Sequence, residues 1–458
     1  MRKIEEWKDT YYGATNTIYS FPNEVRLLHT KRPGTKECCM HVVLQGGGYY
    51  EEQLGVPYGT AHFLEHLLNK PNKKFKTNSE IDDFLLGDRK KARVYRNAFT
   101  SVGYMTYEGW GHSSTLSRMS EFLVSQFNYP FERTSEFMDN LRHVIISECR
   151  QLPKEDRNAN LQIDKFLNGS EYKEFTKPVI GDVNSIKSIT QEHIKFYWDN
   201  VFSTENTIIT VQNDKELGKK VIENVEKIAT MARKPNKDLK IQQYELKNEF
   251  KFSHFRENNA QNIILLLAYY IEKSLVKRYT KNLYTKFVLL RFTRNLINHL
   301  VFSKLREEKG LLYSGKAFTD TLNWHWNIGG LNLKCNVENL EDLLEEIYQL
   351  LNVGLVEYLK QSEGKRWLES EISNYIFPIN VDFNSSYSES LGRSIIFKYL
   401  PYKYDFDYAR YLIRKLTVEK MIDFVEESIV GLQPHIWVSS PYPEWRIKRV
   451  VFASKFGS

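Results

Sequence analysis

Cysteine is scarce: Cys38, Cys39, Cys149 and Cys335 are the only four in 458 residues, and no pair has the C-x-x-C spacing. A disulfide framework and a cysteine-built zinc site are both excluded, and a reducing compartment fits best. No apolar run is long enough to cross a bilayer. The N-terminal stretch MRKIEEWKDT has no apolar core of the kind a secretory signal needs. The expectation is a cytoplasmic protein with no membrane contact. An excess of either charge is also missing. The chain has 64 basic and 57 acidic residues, a formal net charge of +7, and the two signs are evenly mixed. The densest basic patches, Lys70–Lys76 and Arg89–Arg93, read as solvated loop charge. A nucleic-acid partner would need a clustered basic face, so none is expected.

What remains is ordinary for a folded enzyme or binding protein. Hydrophobic residues make up 41% of the chain and charged residues 26%, enough apolar surface for a core. The length exceeds what one core usually holds, so at least two domains are expected. Cys38–Leu44 reads as a strand ended by Gly46, Gly47 and Gly48, with a helix over Gly59–Asn69 and a short one over Asn78–Leu86. Ala92–Tyr107 reads as strand. Helices follow over Ser114–Phe127, Phe131–Leu152 and Thr190–Trp198, then a strand over Asn206–Gln212. The second half repeats this loosely. It reads as a strand at Ile263–Ile271, a long helix at Asn282–Glu308, a strand at Trp324–Cys335, helices at Leu340–Leu359 and Gly364–Tyr375, and a closing helix and strand at Val418–Ile429 and His435–Ser439. Each half thus closes with helix, short loop, strand, the mark of an internal duplication. The fold class read from this is α+β: two similar domains, each a mainly antiparallel sheet with helices packed on it. The boundaries are 1–225, a Lys-rich linker at 226–240, and 241–458.

The chemistry concentrates in His62-Phe63-Leu64-Glu65-His66. Residues four apart share a helix face, so His62 and His66 can present both imidazoles to one ion. Glu65 lies beside them, placed to activate a water without ligating. This is the H-x-x-E-H order, the reverse of H-E-x-x-H. A third ligand is sought on the helix Phe131–Leu152. Its apolar stripe reads Phe137, Leu141, Val144, Leu152, with Glu148 on the same stripe. A carboxylate on a core-facing stripe is costly unless paired or bound to metal. His62, His66 and Glu148 are therefore the candidate ligands of one Zn2+ per chain.

The stretch from Gly59 to Leu67 resembles the pitrilysin, or M16, family of metallopeptidases. In that family the third zinc ligand closes a segment E-R-x-x-V-x-x-E; Arg142, Ile145 and Glu148 fit its later positions, and Leu141 stands where the family has its first Glu. Asn97-Ala98-Phe99-Thr100-Ser101 resembles the family's N-A-x-T-S edge strand, which pairs with the substrate backbone by strand addition; Met105 replaces a family Thr. Leu305 to Ser314 resembles the family's second-half signature, in which an Arg and a Tyr seven residues apart contact the substrate carbonyl or nearby backbone; here these are Arg306 and Tyr313. Gly310 suits a helix stop that turns the chain toward Tyr313.

The resemblance implies a half-clamshell of two domains and a zinc endopeptidase acting on peptides or unfolded segments. Glu65 would be the general base, Tyr313 the donor to the oxyanion, and Arg306 would orient the substrate. Asn97, Ala98, Phe99 and Thr100 would form the substrate-pairing strand. Peptide degradation and leader removal are both compatible. A homodimer is expected, with pairing to another M16-like subunit as the alternative assembly. The alternative function is a catalytically weak or inactive binding subunit of a heterodimer, for which Leu141 speaks.

Overall fold

The computed structural model describes residues 1–10, 13–128, 133–151, 179–235, 250–271, 283–323, 326–376 and 406–457, together with residues 239 and 392. These fall into two compact units, one on residues 1–151 and 179–235, the other on 250–376 and 408–457.

The first unit is built on a seven-stranded sheet of order β1-β2-β3-β7-β4-β6-β5. Its strands are β1 (Arg2–Asp9), β2 (Ala14–Ser20), β3 (Arg26–Lys31), β4 (Glu37–Gln45), β5 (Val94–Thr100), β6 (Tyr104–His112) and β7 (Thr207–Asn213). All neighbours are antiparallel except β3 and β7. β4 and β7 are central, and β7 is buried along its whole length, which explains their near-continuous apolar sequences. The helices of this unit include α1 (Tyr49–Leu54), α2 (Thr60–Leu68), α3 (Asn78–Leu85), α4 (Leu116–Phe127) and α5 (Ser135–Gln151). α4 packs on β4 and β6, while α2 packs on β5, α5 and the helix Gln191–Val201.

The second unit holds β8 (Lys251–Arg256), β9 (Ile263–Ile271), β10 (Ser314–Asn323), β11 (Trp326–Cys335) and β12 (His435–Ser440) in the order β10-β11-β9-β12-β8. Only β12 and β8 run parallel. Without β1 and β2, the first sheet reads β3-β7-β4-β6-β5, and the second repeats that order and every strand sense as β8-β12-β9-β11-β10. Each closing strand is preceded by a helix (Gln191–Val201, Val418–Ser428) and followed by another (Lys219–Met231, Glu444–Ala453). The duplication is therefore present in the topology, and both units are α+β layers as the sequence predicts.

Several elements depart from the sequence reading. Ala92–Tyr107 is not one strand. From Val94 on it forms β5 and the start of β6, a hairpin whose turn is closed by the Ser101 amide donating to the Tyr104 carbonyl (2.8 Å). Apolar residues on both sides of Ser101-Val102-Gly103 hid the break. The expected linker starts too early: residues 226–231 belong to the helix Lys219–Met231, which buries Val221, Val225, Ile228 and Ala229. Interleaved lysines and glutamates masked that stripe; residues 236–238 and 240–249 lie outside the described residues. So do Phe131, Leu152, Asn282 and Trp324, which bounded expected elements. The strands β1 to β3, the helices α1, Lys219–Met231, Phe406–Arg414 and Glu444–Ala453, and the strands β8 and β10 were not read from sequence. β1 shows why: Arg2–Asp9 is a charged, largely exposed edge strand with no apolar face to detect. Among the described residues no helix is long and apolar enough to cross a membrane.

Candidate metal centre

α2 begins at Gly59, whose φ of +91° only glycine adopts without strain; a Cβ there would also lie 2.6 Å from the Ile180 carbonyl oxygen. The first turn of the helix is held from outside. The Glu51 carboxyl, buried on α1, accepts from the Ala61 amide (2.7 Å) and the Gly59 amide (3.0 Å). These are amides that a helix start leaves without intrahelical partners. Burial pushes the Glu51 carboxyl up to about 8, against the pull of those backbone donors. With its start fixed, α2 sends Ala61, Phe63, Leu64, Leu67 and Leu68 into the core. The opposite side carries His62, Glu65 and His66. We expect Glu51→Gln, which sets an amide N–H against a backbone N–H, to lower unfolding stability by about 2 kcal/mol. Chemical denaturation with metal removed would measure this directly.

His62 and His66 stand with ring centroids 4.6 Å apart. The Glu148 carboxylate on α5 meets both: Oε1 is 3.8 Å from His62 Nε2, and Oε2 is 3.2 Å from His66 Nε2. One donor atom from each of the three residues lies within 4.8 Å of the others, and this is the one such trio found among the described residues. Burial, with His66 adding, takes the His62 pKa down to about 4, and burial also lowers that of His66 although Glu148 opposes it. With both imidazoles neutral, each can turn an Nε2 lone pair toward the point that the Glu148 carboxylate also faces, as a bound cation would require. Two imidazoles and one carboxylate form a donor set suited to zinc, and distances of 3.2 and 3.8 Å fit tetrahedral ligands. His62 Nδ1 is buried without a hydrogen-bond partner among the described residues.

Glu148 reaches this cluster, but not by the route the sequence suggested. The buried stripe of α5 is Met138, Leu141, Ile145 and Cys149, stepping by three, four and four; Val144 is half exposed. Glu148 precedes Cys149 and flanks the stripe, with its side chain 46% exposed. No buried-carboxylate penalty drives ligation here; α5 packs on α2 and that flank faces the two histidines. Leu141 is part of the core. Arg142 donates to the carbonyls of Ile186 (3.3 Å) and Ile189 (3.0 Å) and pairs with Asp139, tying α5 to the end of the helix Val183–Ser188.

Glu65 sits next to the cluster. Its Oε2 accepts from Thr100 Oγ1 at 2.8 Å. Burial raises its pKa to about 7; the Thr100 hydroxyl opposes this and the Glu148 charge adds to it. Tyr107 was not singled out from sequence. Its buried hydroxyl has no partner among the described residues, and burial with the Glu65 carboxyl nearby holds the phenol well above its usual range.

β5, carrying Asn97, Ala98, Phe99 and Thr100, is the last strand of its sheet and, among the described residues, pairs only with β6. Ala98 and Thr100 stand opposite Tyr107 and Met105, on the face that meets α2; Asn97 and Phe99 take the other face. Arg306 and Tyr313 belong to the second unit. Arg306 lies in a widened, π-helical segment (Val301–Glu308) and stacks over Phe302, with its guanidinium carbon 5.2 Å from the ring centroid. Such widened turns often occur at functional sites. Gly310, at φ +63°, ends the segment, as its sequence position implied. Tyr313 is exposed, and its hydroxyl donates to Asn336 Oδ1 at 3.0 Å. Glu51 and Tyr107 were invisible to sequence reasoning. Glu51 forms an acidic pair with Glu52 that looks like solvated charge, and Tyr107 looks like any strand aromatic.

No family model matches the sequence. The chain is 23% identical over 218 residues to a probable mitochondrial-processing peptidase subunit beta of Arabidopsis thaliana, and 26% identical over 170 residues to the mitochondrial-processing peptidase subunit beta of Rattus norvegicus. The matches take in 46% and 37% of this chain and 38% and 32% of those proteins, so the chain spans about a third of the length of the curated relatives it matches. Among solved structures, a peptidase M16 inactive domain from Pseudomonas fluorescens superposes with a TM-score of 0.70 at 15% identity, covering 93% of this chain and 98% of that one. A protease from Helicobacter pylori gives 0.69 at 17% identity, covering 93% and 99%. Pitrilysin gives 0.64 at 16% identity, covering 96% of this chain and 46% of pitrilysin. The chain therefore has the fold of the M16, or pitrilysin, peptidases, at the length of one half of pitrilysin itself.

Proposed function

We propose that this protein is a zinc-dependent endopeptidase of the M16 type. The observation that carries the reading is the convergence of His62, His66 and Glu148 beside Glu65. Zinc, when bound, supplies Lewis acidity for the scissile carbonyl and acidifies water. Glu65 takes the proton of the attacking water on its carboxylate and delivers it to the departing amine. Among the described residues no strand pairs with the outer edge of β5, which can offer backbone groups to an extended peptide, so substrates are peptides or unfolded segments recognised through main chain. Tyr313 donates to the developing oxyanion and Arg306 orients the substrate backbone. At the length of one half of pitrilysin, the chain pairs with a second copy of itself or with another M16-like subunit. Peptide degradation and leader removal in the cytoplasm are the roles in view.

The complete donor trio argues against the reading as a non-catalytic binding subunit, since a relic site would not need it. The deciding measurement is metal per chain in protein purified without chelators, together with turnover of unfolded peptides. We expect about one zinc per chain, with turnover lost on chelation and restored by zinc. A protein that takes up no zinc when supplied with it, and cleaves nothing, is the binding subunit instead.

A further inference from the structure

Thr100 lies on the proposed substrate-pairing strand, a role that uses its backbone. Its side chain does something else. Thr100 Oγ1 donates to Glu65 Oε2 at 2.8 Å, which fixes the rotation of the carboxylate about its last bond. Among the described residues no hydrogen bond reaches Oε1. Hence one oxygen is anchored and the other is left to receive a proton. Among the described residues no side chain of α5 donates to the Glu65 carboxylate, and the nearby Glu148 carboxylate can only repel it. The Glu65 backbone is already fixed within α2, where its carbonyl also accepts from Asn69 Nδ2 (3.0 Å). The carboxylate is the remaining freedom, and Thr100 removes it. The hydroxyl that does so is on the last residue of the edge strand, paired to Met105 on β6.

We propose that Thr100 is a positioning residue that aims the Glu65 carboxylate and links the substrate-pairing strand to the general base. The inference rests on the hydrolase reading above. A peptide seated on β5 stiffens the strand that carries the anchor, so the base is held firmly when substrate is present.

The test compares wild type, Thr100→Val and Thr100→Ser in the full-length, zinc-loaded protein, with zinc content and thermal stability checked for each. A metal-free sample of each serves to measure binding of a fluorescent unfolded peptide. Thr100→Val keeps the branched shape and loses the donor. Its kcat should fall about tenfold with KM nearly unchanged; zinc content and metal-free peptide affinity should match wild type. Thr100→Ser should restore most of kcat. In a Glu65→Gln background, Thr100→Val should cost nothing further, because the two act as one unit. A raised KM with unchanged kcat, or lost metal-free peptide binding, would make Thr100 a substrate-binding residue and overturn the proposal. Failure of serine to rescue would overturn it too, assigning the effect to packing. A wild type that binds zinc but has no turnover would instead remove the hydrolase reading, and this inference with it.

Discussion

Glu65→Gln should retain its zinc and lose about a thousandfold in kcat/KM, within the range that a positioned base contributes. The substitution keeps shape and size. The amide oxygen can still accept the Thr100 hydroxyl now bound at 2.8 Å, so the helix and its histidines should not move. What disappears is the capacity to take a proton. The wild-type pH profile gives a second readout. Burial raises the Glu65 carboxyl to about 7. A base works when ionised, so kcat/KM should rise with pH up to that value and fall tenfold per unit below it. A bound dication favours the carboxylate and moves this acid limb downward. The residual activity of Glu65→Gln should lack the limb. Near-normal turnover in that variant, with zinc present, would remove Glu65 from the mechanism.

Different parts of the site were legible for different physical reasons. His62, Glu65 and His66 could be read directly, because a helix converts a spacing of four into a shared face, and both ends of that spacing sit within one element. Glu148 was reached from an apolar stripe and matched by the resemblance, and it does lie beside the two histidines, yet the stripe is not the buried one. Counting from Leu141 to Val144 to Glu148 follows one helical row. The core follows the neighbouring row through Ile145 and Cys149, and only packing decides between them. Glu51 could not have been found, since its role is to satisfy amides eight and ten residues away across a turn. The fold shows the same division. The buried strands β4 and β9 announced themselves by composition, whereas the exposed edge β1 and the lysine-rich helix Lys219–Met231 did not. The duplication was legible only in its closing helix and strand; its full extent is a property of strand order, which no local pattern encodes.

Removing any ligand should abolish turnover by a route distinct from Glu65→Gln, namely loss of the metal. His66→Ala deletes the nitrogen 3.2 Å from Glu148, and Glu148→Gln keeps size while removing the charge that a dication needs. Both variants should bind far less than one zinc per chain and show background activity. Thermal denaturation with and without zinc separates this from misfolding. A ligand that binds only the folded state stabilises it by about 4 kcal/mol at a thousandfold excess over its dissociation constant. Wild type and Glu65→Gln should both gain that stability, and the ligand variants should gain almost none while melting cooperatively without metal. Acid should also strip the wild-type site. The folded-state pKa of His62 is lowered to about 4, so between there and its unfolded value the unfolded chain binds more protons. The stability from a neutral His62 is present above about 6.5 and is lost as pH falls through 4. Protons compete with zinc for the same nitrogens, so zinc should leave as pH drops through this range. Retention of full zinc at pH 4, or in His66→Ala, would place the metal elsewhere than on His62, His66 and Glu148.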